Sequence, residues 1–248
     1  MLDTGPSKSQ VNRAGQRVRR FMRDGQIEQL DNEDLIRAAG IILEFRAAHQ
    51  YALAKATMGL RSVVKTEGCP VEVSQRLKRF TTILDKLRRE PTMALANMHD
   101  VGGARAVLDS ITEVRRVEQR IRKNQIRKNR PPLRVADYIT TPRVSGYRGV
   151  HIVVGYPDRT GQQRAIEVQL RTQTMHEWAI TVERMSGRLA EDFKSGYGPP
   201  EVLAMLSAIS EAMAIEEGGE TVPEELLDRM RRLRAAAVPY LEERRQPR

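Results

Sequence analysis

Apolar residues recur with helical spacing through the first third of the chain, alternate with polar ones in the middle, and return to helical spacing at the end. Residues 11–24 place Val11, Val18, Phe21 and Met22 along one stripe with a basic opposite face, which predicts an amphipathic helix. Residues 1–10 are polar and are expected to fray. A long helix over residues 34–65 follows from Leu35, Ile41, Leu43 and Phe45, with Asp31 or Asn32 as its cap and Gly68-Cys-Pro70 as its stop. Residues 73–90 read as a further helix ending before Pro91. Strand-like segments come next, at residues 104–108, 135–140, 150–154 and 165–170. Helices are again expected from Thr172 to about Phe193, and at 201–215 and 223–243, the break between them lying at Gly196-Tyr-Gly-Pro-Pro200. The order predicts an α+β fold: helices over residues 1–69, a core holding the sheet over 70–195, and C-terminal helices over 196–248.

The alternation is sharpest around Glu167-Val-Gln-Leu-Arg-Thr172. Segments 149–155 and 164–170 read as two strands joined by a turn at Pro157-Asp-Arg-Thr-Gly161. Ile166, Val168 and Leu170 anchor one face of the second strand. Glu167, Gln169 and Arg171 then share the other, a rigid mount for polar chemistry. Upstream, Met98-His-Asp-Val-Gly-Gly-Ala-Arg105 sets Asp100 at the mouth of another strand. Asp100 and Glu167 on neighbouring strands would suit Mg²⁺, which takes one or two carboxylates and completes its shell with phosphate and water oxygens. Cations to hold such phosphates are available in Arg76, Lys78 and Lys86, with Thr82 four residues before Lys86 on one helical face. A capped helix with solvated basic side chains would show the same spacing.

Composition narrows the class. The 248 residues are 40% hydrophobic and 30% charged, which fits a folded chain with a sizeable core. No apolar run approaches the ~20 residues that span a bilayer, and Met1-Leu-Asp-Thr-Gly-Pro-Ser-Lys8 has no apolar signal core, so a cytoplasmic protein is expected. Its one cysteine, Cys69, rules out an internal disulfide. A net charge of +10 calls for an anionic partner. With aromatics at only 4%, compact phosphate ligands are favoured over single-strand base stacking.

Taken together, four blocks resemble the synthetase domain of the RelA/SpoT family, most nearly its single-domain small alarmone synthetases. They are Arg76-Leu-Lys78 with Thr82-Ile-Leu-Asp-Lys86, Asp100-Val-Gly-Gly-Ala-Arg105, Asp137-Tyr-Ile with Gly146-Tyr-Arg-Gly-Val-His151, and Glu167-Val-Gln-Leu-Arg-Thr172 through Trp178-Ala. The similarity spans about residues 70 to 185. It implies a mixed sheet of about five strands flanked by helices, akin to nucleotidyltransferases. It also implies transfer of the β,γ-pyrophosphate of ATP to the ribose 3′-hydroxyl of GDP or GTP, making (p)ppGpp. On the same resemblance, Asp100 would bind Mg²⁺, and Glu167 would share the ion or accept the 3′-hydroxyl proton. Arg76 and Arg105 would sandwich adenine, while Lys78, Thr82 and Lys86 would hold the ATP phosphates. Tyr147 would stack on the acceptor base, with Arg143, His151, Gln169 and Arg171 near the acceptor nucleotide.

The chain departs from its relatives on the acceptor side. Gly149 stands where they usually carry serine, Thr174-Met-His-Glu-Trp178 replaces Ala-Met-Asp-Phe-Trp, and Thr181-Val-Glu-Arg184 replaces Leu-Glu-His-Lys. Thr82 stands for serine and keeps the hydroxyl. This leaves open a toxic family member that pyrophosphorylates the 3′ end of tRNA or adenine nucleotides. Residues 114–130, with eight Lys/Arg against Glu118 alone, would attract tRNA phosphates. A catalytically inactive nucleotide or RNA binder is a third class, against which stands the presence of both carboxylates and every ATP-side cation. His99-Asp100 is a chance dipeptide rather than a hydrolase metal site, since only His49, His151 and His176 remain as further histidine ligands. A homo-oligomer and an antitoxin partner are further expectations of the resemblance.

Overall fold

The structure is a computed structural model that describes residues 5–24, 32–70, 72–130, 132–189 and 191–243. Seven helices, α1 (Lys8–Asp24), α2 (Asn32–Thr66), α3 (Phe80–Arg89), α4 (Ile111–Arg127), α5 (Gln173–Leu189), α6 (Pro200–Glu217) and α7 (Glu224–Glu243), accompany five strands among these residues. The strands are β1 (Glu72–Leu77), β2 (Gly102–Leu108), β3 (Arg134–Asp137), β4 (Val150–Pro157) and β5 (Gln163–Thr172), in one sheet of order β1-β2-β5-β4-β3. The α+β expectation holds, and so does the strand count. No described helix is long and apolar enough to cross a membrane.

Two expectations change. The helix expected over residues 73–90 is a strand followed by a helix: residues 72–77 form the sheet's edge strand, and α3 starts only at Phe80. The fraying expected over residues 1–10 does not extend to residues 8–10, because Ser7 and Gln10 close a capping box; residues 1–4 lie outside the described residues. The Ser7 amide donates to Gln10 Oε1 at 2.8 Å and the Gln10 amide to Ser7 Oγ at 3.3 Å. The proposed cap of α2, Asp31 or the side chain of Asn32, lies outside the described residues.

The chain forms two compact units that cut across sequence order. One comprises Met1–Ala106, Gln119–Val135 and Ile152–Gln169; the other comprises Val107–Glu118, Ala136–His151 and Leu170–Arg248. The first has a core of Val11, Ala14 and Val18 from α1, Ala38, Ile42 and Phe45 from α2, and Ile83 and Leu87 from α3, closed by Leu95, Met98 and Val101. Each helix contributes residues three or four apart, so the helical periodicity and the core are one pattern. The turn from β4 to β5 is tied by Asp158, whose Oδ1 accepts from the Thr160 and Gln162 amides at 2.9 and 3.0 Å. Its Oδ2 accepts from buried Arg164 Nε at 2.8 Å.

The second unit is built around Trp178 and Val182 of α5, Val202, Leu203 and Leu206 of α6, and Tyr147. Gly146 sits at φ 85°, and a Cβ there would lie 2.7 Å from Ser207 Cα and 2.8 Å from Ser210 Cβ. Only glycine allows that backbone conformation and that approach of α6 together. Ser210 Oγ then donates to the Gly146 carbonyl at 2.6 Å.

Candidate active site

The first unit brings the predicted phosphate-side residues together. Lys78 leaves the end of β1, its amide bonded to the Val101 carbonyl at 2.8 Å, so the segment before α3 is laid beside the approach to β2. Arg46 of α2 donates from Nε to the Lys78 carbonyl at 2.7 Å and holds that segment from behind. On α3, Ile83 and Leu87 point into the core, leaving Thr82 and Lys86 half-buried one turn apart. Asp100, just before β2, receives both lysines: Lys78 Nζ lies 3.0 Å from its Oδ2 and Lys86 Nζ 3.1 Å from its Oδ1.

This clamp sets the electrostatics. Burial works to raise the Asp100 pKa, but the two ammonium charges and the Lys78 hydrogen bond outweigh burial and the negative charge of Glu167. The carboxyl therefore sits below its ordinary value. Glu167 is close enough to be felt at Asp100, as the order β1-β2-β5 requires of neighbouring strands. Glu167 and Gln169 are half-buried on one face of β5, while Ile166, Val168 and Leu170 are buried on the other. Gln169 Nε2 donates to Glu167 Oε2 at 2.6 Å, orienting the carboxylate.

Arg105 of β2 donates from Nη2 to Ser74 Oγ on β1 at 3.2 Å. Ser74 and Arg76 share a face of β1 because side chains repeat every two residues, so the two guanidinium groups stand on the same side of adjacent strands. Two planar cations there can stack on an aromatic ring, and the lysines can hold phosphate. Two carboxylates offer hard oxygen donors to a divalent cation. Among the described residues no group of three or more His, Cys, Asp or Glu could hold a metal, so the remaining donors would come from phosphate and water.

The predicted acceptor residues Arg143, Tyr147, His151 and Arg171 lie in the second unit, as a packed network. Tyr147 is 1% exposed and Arg171 likewise 1%. The Tyr147 hydroxyl is 2.5 Å from His151 Nε2 and accepts from Arg171 Nε at 3.1 Å. In this structure the Tyr147 ring is packed in the core, beneath α6. Arg171, expected on the polar face of β5 near the acceptor nucleotide, is buried with it. Gln169 belongs to the first unit, beside Glu167.

The accessible part of the network is Arg143 with Tyr138, both half-buried. The Arg143 guanidinium lies 4.5 Å from the Tyr138 ring centre and bonds its hydroxyl at 3.0 Å. Asp137 shapes the turn that presents Tyr138, accepting from the Ile139 and Thr140 amides at 3.0 and 3.2 Å and pairing with Arg115 at 2.9 Å. Tyr138, Arg46 and Lys194, whose Nζ is 5.1 Å from the Tyr147 ring centre, were missed from sequence. The Asp137-Tyr-Ile block pointed toward Tyr138; nothing local marks the other two.

Known proteins resemble this chain in sequence and in fold. Residues 75–185 match the family described as the region found in RelA / SpoT proteins. The chain is 31% identical over 162 residues to the GTP pyrophosphokinase YjbM of Bacillus subtilis (strain 168), covering 62% of this chain and 73% of that one. It is 28% identical over 133 residues to the GTP pyrophosphokinase YwaC of the same organism, covering 50% and 61%. Among solved structures, small alarmone synthetase 1 from Bacillus subtilis, bound to its product pppGpp, matches with a TM-score of 0.60 at 25% identity, over 71% of this chain and 92% of that one.

Proposed function

Because the chain belongs to the RelA/SpoT family, we propose that it is an ATP-dependent nucleotide 3′-pyrophosphokinase that makes (p)ppGpp from GDP or GTP. The observation that carries the reading is the Lys78–Asp100–Lys86 clamp, with Glu167 on the strand beside it. The family uses a divalent metal, and Asp100 with Glu167 fits Mg²⁺ by donor chemistry. When bound, the ion neutralises phosphate charge as the transferred group moves.

The chain's own residues supply the rest. Lys78, Lys86 and Thr82 bind the β- and γ-phosphates, the lysines exchanging Asp100 for phosphate oxygens. Arg76 and Arg105 close on the adenine ring. Glu167, oriented by Gln169, takes the proton from the acceptor 3′-hydroxyl as that oxygen bonds to the β-phosphorus. The bond from the β-phosphorus to the oxygen it shares with the α-phosphorus breaks, and that oxygen leaves with AMP. Arg143 and Tyr138 offer the accessible surface for the acceptor. Tyr147, His151 and Arg171 hold that surface in place from beneath.

The test is incubation with γ-labelled ATP and either GDP or GTP, or deacylated tRNA. Label in a guanosine 3′-diphosphate, with one AMP released per transfer, is expected. Label on tRNA alone overturns the reading.

A further inference from the structure

Helix α1 carries Arg13, Arg17 and Arg20 at spacings of four and three residues, so the three guanidinium groups leave one side of the helix over about 10 Å. Facing them, α2 presents Arg37. The four arginines rim a cleft of about 400 Å³ between α1 and α2, with Ala14, Ala38 and Ile41 as its apolar lining. That volume lies within the range of small-molecule sites. The cleft's helices are fixed from behind. Arg19, on another side of α1, donates from Nε to the Leu87 carbonyl at 2.9 Å and from Nη2 to the Met93 carbonyl at 2.5 Å. Asn12 Oδ1 accepts from the Ala96 amide at 2.9 Å, and Ala14 and Ala38 are buried in the core of the first unit. The cleft is therefore preformed. It shares no residue with the Lys78–Asp100–Lys86 clamp.

Charge and shape name the occupant. Like charges three and four residues apart on one helix repel, so the arginine row costs stability as it stands. The one acid paired with these arginines among the described residues is Asp34, 3.1 Å from Arg17 and 3.9 Å from Arg37. No ion pair reaches Arg13 or Arg20 among the described residues. Guanidinium groups match phosphate oxygens with paired, charge-assisted hydrogen bonds. A row of three on one wall with a fourth opposite suits linked phosphates better than a lone one. None of the lining residues is aromatic, so the cleft offers no stacking platform for a base and the phosphates carry the recognition. We infer that the α1–α2 cleft is a second anion site, which binds a small polyphosphate, either inorganic or borne on a small ester.

Calorimetry on the full chain with sodium tripolyphosphate tests this, first alone and then with a non-hydrolysable ATP analogue present to occupy the lysine clamp. One tripolyphosphate per chain should bind in the presence of the analogue, more weakly as NaCl is raised. Arg13→Gln combined with Arg20→Gln, both at exposed positions, should lower that affinity by about tenfold or more. The circular dichroism spectrum and the affinity for the analogue should not change. Asp34→Asn removes the competing carboxylate and should tighten binding several-fold, a gain that misfolding does not give. Cytidine triphosphate separates the two sources, and either result supports the site: binding as tight as tripolyphosphate assigns it to ester-borne chains, and refusal assigns it to the inorganic chain. Orthophosphate bound as tightly as tripolyphosphate, tripolyphosphate not bound, or binding indifferent to the arginine pair overturns the inference. So does a short RNA held through the same arginines while tripolyphosphate is refused. An ATP analogue that fails to bind counts against the proposed activity alone, since the arginine variants read the cleft without it.

Discussion

Replacing Asp100 with asparagine keeps the side chain's shape and removes the charge that Lys78 and Lys86 share. Each ammonium sits about 3 Å from a carboxylate oxygen, and the three side chains are 13%, 22% and 25% exposed. At an effective dielectric near 20 each contact is worth about 5 kcal/mol of Coulomb energy, most of it offset by desolvation. The variant keeps the desolvation of both lysines and loses the attraction, so a net cost of about 2–3 kcal/mol follows. In a chain of this length that lowers Tm by roughly 4–10 °C. The pH dependence carries a sign. Asp100 titrates below its unfolded value in the folded protein, so its contribution is complete above about pH 4 and is lost as pH falls through the lower, folded value. Urea unfolding of both proteins at pH 7 and pH 3 should show the full gap at pH 7 and a smaller one at pH 3, where the carboxyl of the unfolded chain is largely protonated and the folded state gives up part of its advantage. An asparagine variant as stable as wild type at pH 7, or a gap that ignores pH, would refute the clamp.

Glu167→Gln should lower turnover by at least 100-fold while an ATP analogue still binds, as measured by single-turnover kinetics and calorimetry. Arg105→Lys keeps the charge and loses the flat stacking surface, so ATP affinity should fall about tenfold in equilibrium binding. Tyr147→Phe deletes the hydroxyl shared by His151 and Arg171 and should cost about 1–3 kcal/mol in denaturant unfolding. Gly146→Ala forces a side chain against Ser207 at a positive φ. It should destabilise the second unit by about 2 kcal/mol or more and weaken acceptor binding while ATP-analogue affinity is kept.

What the sequence made legible was local. The alternation at residues 164–170 announced both β5 and the Glu167 face, because burial of Ile166, Val168 and Leu170 is written at a period of two. Strand β1 was misread as helix because Glu72-Val-Ser-Gln-Arg-Leu77 runs into α3 with only two residues between, and its strand state comes from pairing at the sheet edge. The burial of Tyr147 was equally hidden. It depends on α6 seating over Gly146, a contact between residues 64 positions apart. Motif spacing marked out Asp100 and its lysines as candidates, but not the exchange of ammonium groups onto the carboxylate, which needs the fold of three separate segments.

Arg46 gives the α2 helix a second duty. One rod of 35 residues, about 52 Å long, carries both the core residues Ala38, Ile42 and Phe45 and the guanidinium that holds the Lys78 carbonyl. A substitution that tilts the rod would displace the segment of the phosphate-binding lysine as well as loosen the core. Loss of stability and loss of ATP affinity would then travel together in variants of the buried face of α2.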